Sequence, residues 1–195
     1  MATIFSDPPR TAAWRHRDAR VGFEVVLLRL SDDDYCVEGH TVAVEDGKAW
    51  AVDYVIRLSE SWLTRSAWVK GHSATGRREL TLEANGSGGW IVDGSPVPEL
   101  DGCLDVDLES SALTNALPVH RLGLEVGEGA NAPAAYVRAP DLTVERLEQR
   151  YVRGPDDGRR QRYHYAAPAF EFDADLLYDQ AGLVIDYPGL AIRIA

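Results

Sequence analysis

Two carboxylates, Asp105 and Asp107, stand two residues apart in the stretch LDGCLDVDL. On an extended strand that spacing puts both side chains on one face, about 7 Å apart. Carboxylates that close can hold a cation, or can split their pKa values so that one donates a proton and the other accepts it. They can equally face solvent, or pair with Arg65 or Arg121. A calcium loop is not supported, because the DxD lies in a strand-like stretch and lacks the further ligands and the bidentate Glu of such a loop.

Arg121 could grip a carboxylate, a phosphate or a sugar hydroxyl through its forked guanidinium. Its alternative is an ion pair with Asp105, Asp107 or Glu125. Asn115 could bond a ligand or cap a helix. Trp62 and Arg65 stand three residues apart; an exposed Trp62 could stack on a sugar ring, whereas a buried one would serve the core. Glu38 and His40 share a strand face and could join a metal or be structural. Cys36 and Cys103 show no CxxC spacing and no histidine cluster, so two free thiols in a reducing compartment are expected and no metal site is. The chain contains no GxSxG elbow, no HExxH, no P-loop and no GxGxxG after a strand, so no catalytic residue is assigned.

The elements that must position these residues are mostly strands. Ala49–Leu58 alternates: Trp50, Val52, Tyr54, Ile56 and Leu58 share one face, and Ala51, Asp53, Val55 and Arg57 the other. Glu24–Leu30 is a continuous apolar run that fits a strand covered on both faces, or else a buried helix turn. Turns are expected at 31–34, at Asp46-Gly47, over 85–89, at Asp93-Gly94, over 154–158 and over 179–182. Leu142–Val152 fits helix or strand, and its neighbours favour strand. Phe170 and Phe172 are expected in one strand, and Leu190, Ile192 and Ile194 on a single apolar face. One helix is expected near 111–121, with Ser111 or Thr114 as a cap candidate and Pro118 early or at a bend. At least ten strand-like stretches without a repeat period predict a large, mostly antiparallel sheet that must curl to bury its apolar face.

Bulk properties narrow the partners. The 195 residues carry a formal net charge of −11 and no dense Lys/Arg run, which excludes the electrostatic footprint of a nucleic-acid binder. Arg159, Arg160 and Arg162 lie beside Asp156 and Asp157. No apolar run approaches the roughly 18 residues that span a bilayer, so no transmembrane segment is expected. The N-terminal stretch lacks a signal-peptide pattern, and a cytoplasmic protein is expected. Residues 1–13 are expected to be a loose lead-in, and 14–195 a single domain.

GGWIVDG at 88–94, LDGCLDVDL at 100–108 and LTNALPVHRLGL at 113–124 resemble the bacterial putative glycolipid-binding family. The likeness extends to Trp62-Leu63-Thr64-Arg65, to Gln149-Arg150-Tyr151 and to the stretch from Gly182 to Gly189. It implies a mainly β, spiral β-roll: a large antiparallel sheet wrapped around a single α-helix near 111–121. It also implies a fold similar to the lipoprotein-localisation factors, which hold acyl chains in a half-open barrel. The function it implies is non-catalytic binding of a glycolipid or other amphipathic ligand, without a cofactor. The residues that would bind it are Trp62, Arg65, Asp105, Asp107, Asn115 and Arg121. Two alternatives remain: an enzyme that uses Asp105 or Asp107 with Arg121, or a structural or partner-binding protein whose polar cluster only ties the helix to the sheet.

Overall fold

The computed structural model describes residues 5–31, 34–139 and 141–195. The chain first lays down a meander: β1 (Thr11–His16), β2 (Val21–Ser31), β3 (Asp34–Glu45), β4 (Lys48–Ser59), β5 (Thr64–Ser73), β6 (Gly76–Ala84), β7 (Trp90–Val92) and β8 (Ser95–Pro96). It then leaves the sheet for an inner layer. That layer holds β9 (Asp105–Leu108), a 3-10 turn at Leu113–Asn115, the helix α1 (Ala116–Leu122), β10 (Gly129–Asn131), β11 (Ala134–Val137) and β12 (Val144–Leu147). A second meander follows through β13 (Arg150–Asp157), β14 (Arg160–Ala167), β15 (Phe172–Tyr178), β16 (Val184–Tyr187) and β17 (Ala191–Arg193).

β17 pairs with β1, so the two meanders fuse into one antiparallel sheet of 14 strands among the described residues. It does not close: β8 is one edge and β10, paired with β13, the other. β9, β11 and β12 form a separate small sheet in which β9 and β11 run parallel. Side chains from β2, β4, β13 and β15 all reach the segment 111–121. Strands so far apart in one sheet can touch one short segment only if the sheet curls around it.

β4 places its even-numbered side chains, Trp50 to Leu58, in the core as its alternation predicts. The Asp46-Gly47 and Asp93-Gly94 turns have positive φ at both residues, the geometry that suits two-residue hairpins. β9 is buried on both faces, because the helix segment covers one side and the sheet the other.

Several expectations are corrected. β2 is covered on one face only: Glu24, Val26 and Leu28 point inward, while Val21, Phe23, Val25 and Leu30 are exposed. A continuous apolar run cannot distinguish these cases, since the outward face here is also apolar. The 154–158 turn is narrower than expected. β13 runs on to Asp157 through an irregularity between Gly154 and Asp157, and the turn follows. Phe170 sits in a 3-10 turn (Pro168–Phe170) and not in a strand with Phe172. At the C-terminus Ala191 faces the core, and Ile194 is exposed. Leu142–Val152 does form strands, but from Val144 on and in two pieces, β12 and β13, which belong to different sheets; Leu142 itself has φ 55°. The first strand begins at Thr11, inside the stretch expected as lead-in, and Ala12 is already buried. Of the turn expected at 31–34, Asp32 and Asp33 lie outside the described residues.

α1 is shorter than the helix expected near 111–121. Pro118 has no N–H to give, so it is tolerated only in the first helical turn. It stands third in α1, and the preceding residues take the tighter 3-10 form. Gly123, with φ 55°, ends the helix in the left-handed conformation and donates its N–H to the Val119 carbonyl.

One glycine sets the depth of the curl. A Cβ on Gly39 would stand 1.9 Å from the Tyr54 ring, which reaches across β3 toward the inner layer. Tyr54 is itself hydrogen-bonded and cannot swing aside cheaply. Gly39→Ala should therefore lower unfolding free energy by about 1–3 kcal/mol, as overpacking does. Urea unfolding measures this, and an unchanged midpoint would contradict the close approach.

Candidate functional site

The inner segment is held by a buried polar network. Glu24 on β2 is fully buried, yet its carboxylate has three donors. Tyr54 gives its hydroxyl at 2.6 Å, Ser111 gives a short hydroxyl bond, and Ala112 gives its backbone N–H at 2.7 Å. Burial pushes the Glu24 carboxyl up, and these hydrogen bonds pull it back. Close by, Thr41 donates to the Ser110 carbonyl at 2.9 Å, and Arg20 to the Glu109 carbonyl at 2.6 Å.

Asp105 and Arg121 form a bidentate pair, with Nε–Oδ1 at 3.0 Å and Nη2–Oδ2 at 2.6 Å. Asp105 is buried, and desolvation raises its carboxyl against the pull of Arg121. Asp107 is tied differently. Thr114 donates to Oδ1 at 2.8 Å, and the Gln149 amide donates to Oδ2. Burial raises the Asp107 carboxyl to about 6; Thr114 and Gln149 lower it, and the neighbouring Asp105 and Glu109 charges add to the rise.

Asn115 does not cap α1 with its side chain. Its Oδ1 accepts from Tyr151 at 3.0 Å, and its carbonyl accepts from Tyr178 at 3.3 Å. Trp62 is buried with φ 62°, and its ring stacks on His120 at 3.6 Å with planes 3° apart. Burial lowers His120 to about 4, so the ring is neutral at pH 7 and Nε2–H donates to the Ala181 carbonyl at 2.9 Å. Arg65 is half exposed and pairs with Asp34 at 3.0 Å, away from the helix. From the same stretch it is Thr64 that matters to the interior, accepting the Val106 N–H at 3.1 Å. Glu38 pairs with Arg29, and His40 with Asp53, both on the exposed face. No group of His, Cys, Asp and Glu suited to a metal occurs among the described residues.

A cavity of about 350 Å³ opens beside this network, toward the lower end of the roughly 300–1,000 Å³ usual for small-molecule sites. One wall is the inner layer: Asp107, Leu108, Ser111, Ala112, Asn115, Tyr136 and Leu147. The opposite wall comes from the second meander: Tyr165, Ala167, Phe172, Tyr187 and Ala191. Ala19, Glu45, Glu109, Phe170 and Leu190 are more exposed and lie toward the opening. Tyr165 packs between Tyr151, Phe172 and Tyr187, with ring centroids 5.0 to 6.0 Å apart. Of the six residues singled out from the sequence, only Asp107 and Asn115 line this cavity. Arg20 and Glu45 carried no local signal. Tyr187 stood in the stretch 182–189, but nothing in the sequence pointed it and Tyr165 at a common space.

A family model described as putative glycolipid-binding matches residues 11–193. The chain belongs to this family. The motifs that carry the resemblance interlock: Trp90 donates to the Cys103 carbonyl at 2.9 Å, Gln149 and Thr114 meet on Asp107, Tyr151 on Asn115, and Arg121 on Asp105. A DUF1089 family protein from Pseudomonas aeruginosa is similar at 35% identity, over 100% of this chain and 97% of that one, with a TM-score of 0.74. A β-barrel-like protein of the DUF1849 domain family from Brucella abortus aligns at 12% identity over 97% and 95% of the two chains, with a TM-score of 0.49. No curated protein matches the chain. No described helix is long and apolar enough to cross a membrane.

The two aspartates make separable predictions. Arg121→Ala leaves Asp105 buried and unpaired and should cost about 3–5 kcal/mol in urea unfolding. Asp105→Asn combined with Arg121→Met should recover much of that loss; a single variant costing under about 1 kcal/mol would remove the pair's structural role. For Asp107, the folded carboxyl titrates near 6 against a reference of 3.8. The folded state therefore holds the proton more tightly, and stability falls as pH rises from about 4 to about 6, by on the order of 3 kcal/mol. His16 and His120, lowered to about 4, act in the opposite sense, losing stability as pH falls below 6.5. Glu24 and Asp105 are raised too, so the test is the difference: wild-type stability minus that of Asp107→Asn should fall across that window, and a flat difference would contradict it.

Proposed function

We propose that this protein is a non-catalytic binder of an amphipathic ligand of the glycolipid class, held in the cavity between the inner layer and β14–β17. The open, aromatic-lined space beside the helix carries this reading. A helix that filled the curled sheet completely would have left no room for an apolar tail. Aromatic rings supply apolar area, while Tyr hydroxyls and the nearby carboxylates offer hydrogen bonds, a mixture suited to a molecule with two unlike ends. Family membership supports the same class.

In this reading Asp105, Arg121, Trp62 and Arg65 serve the scaffold, and Asp107 and Asn115 touch ligand only at the cavity surface. The two free thiols, Cys36 and Cys103, suit a reducing, cytoplasmic setting. A net charge of −11 argues against nucleic acid as a partner.

Native mass spectrometry of freshly purified protein should show adducts of lipid mass. Ala167→Trp, which grows a ring into the cavity from a buried wall position, should abolish them while leaving the fold's circular dichroism intact. Absence of adducts in the wild type, together with no binding in lipid titrations, would sink the reading.

A further inference from the structure

The charges around the cavity are unbalanced. Among the residues that line it, Arg20 is the single cation, against Glu45, Asp107 and Glu109. Arg20 is also fixed, with two of its five N–H groups in hydrogen bonds among the described residues. Its Nη2 donates to the Glu109 carbonyl at 2.6 Å, its Nε to His16 Nδ1 at 3.3 Å, and its guanidinium lies 5.2 Å from the Trp50 ring centroid. Burial holds His16 near 4, so His16 is neutral and can accept that bond. Glu45, Glu109 and Glu24 all act on the Arg20 charge.

An anion entering this space would lose hydration and meet more carboxylate than guanidinium. A cation would meet Glu45 at the rim, but the other two carboxylates are already engaged. Both Asp107 oxygens are taken by Thr114 and Gln149, and Glu109 Oε2 already accepts the Ala139 N–H at 2.8 Å. Stripping water from a charge needs a fuller set of ligands than that. A hydroxyl asks for less. It donates once to a carboxylate and accepts from a neighbouring donor, which a mixed rim supplies. The rings of Tyr165 and Tyr187 then take the apolar part.

Given ligand binding in this cavity, we propose that the site selects an uncharged, hydroxyl-bearing headgroup, seated at the Arg20–Glu45–Glu109 rim with its apolar chain against Tyr165 and Tyr187, and rejects carboxylate-headed amphiphiles. This deepens the binding reading by naming the charge and the seat of the headgroup.

Isothermal titration calorimetry at neutral pH tests it with octyl glucoside, octanoate and octylammonium, each below micelle formation. Octyl glucoside should bind at least about tenfold more tightly than either charged probe. Glu45→Gln should narrow the gap between octyl glucoside and octanoate by weakening the repulsion. Octanoate or octylammonium binding as tightly as octyl glucoside to the wild type would overturn the headgroup selection and leave amphiphile binding standing. Binding of none of the three would overturn the cavity reading itself.

Discussion

A carboxylate buried in the wall of a curled sheet is the constraint on which this molecule turns. Glu24 would be costly to desolvate alone, since an unpaired buried charge costs several kcal/mol. It is tolerated because the chain returns after β9 and presents Ser111 and the Ala112 N–H to it, while Tyr54 arrives from β4. The bonding requirement runs both ways. Without the inner segment Glu24 has lost two of these three donors, and without Glu24 the Ala112 N–H has lost its acceptor. Gly39 belongs to the same arrangement, because only a residue without a side chain lets Tyr54 lie across β3.

The remaining ties follow the same plan, each from a different part of the outer sheet or its turns to the stretch 103–120. Thr41, Thr64, Trp90, Tyr151 and Tyr178 each give or take one hydrogen bond, and Trp62 adds a stacked ring. These fixings keep the inner layer at a set distance from the second meander. A space persists where the facing residues are aromatic on one side and already hydrogen-bonded on the other. Neither wall has an unmet demand that would pull it across the gap. A lined cavity, rather than a collapsed core, is the physical outcome.

Much of the scaffold was legible in the residues. Period-two alternation marked β4, and Asp-Gly pairs marked two hairpins with their backbone geometry. The Asp105–Arg121 pair was among the alternatives the residues offered, whereas Asp107 goes to Thr114 and Gln149, which no spacing indicated. Glu24 was not legible: inside EVVLLRL it looked like the polar start of an apolar run, and its partners lie 30 to 88 positions away. Arg65 misled because its neighbour Thr64 makes the inward contact, a one-residue difference that strand alternation converts into opposite faces. The cavity was invisible for a simpler reason. Its two walls are set by how the sheet curls around the inner layer, and that curl has no local signature.

The sheet's central join has a further consequence. β1 and β17 lie side by side, so the first and last described strands meet in the middle of the sheet. During synthesis, one edge of β1 stays open until β17 has emerged. An open strand edge is a template for pairing with another chain. The wall that carries Tyr165 and Tyr187 is likewise attached to the first meander only at the end. The pairing of β17 with β1 therefore both covers that edge and fixes one wall of the cavity to the first meander.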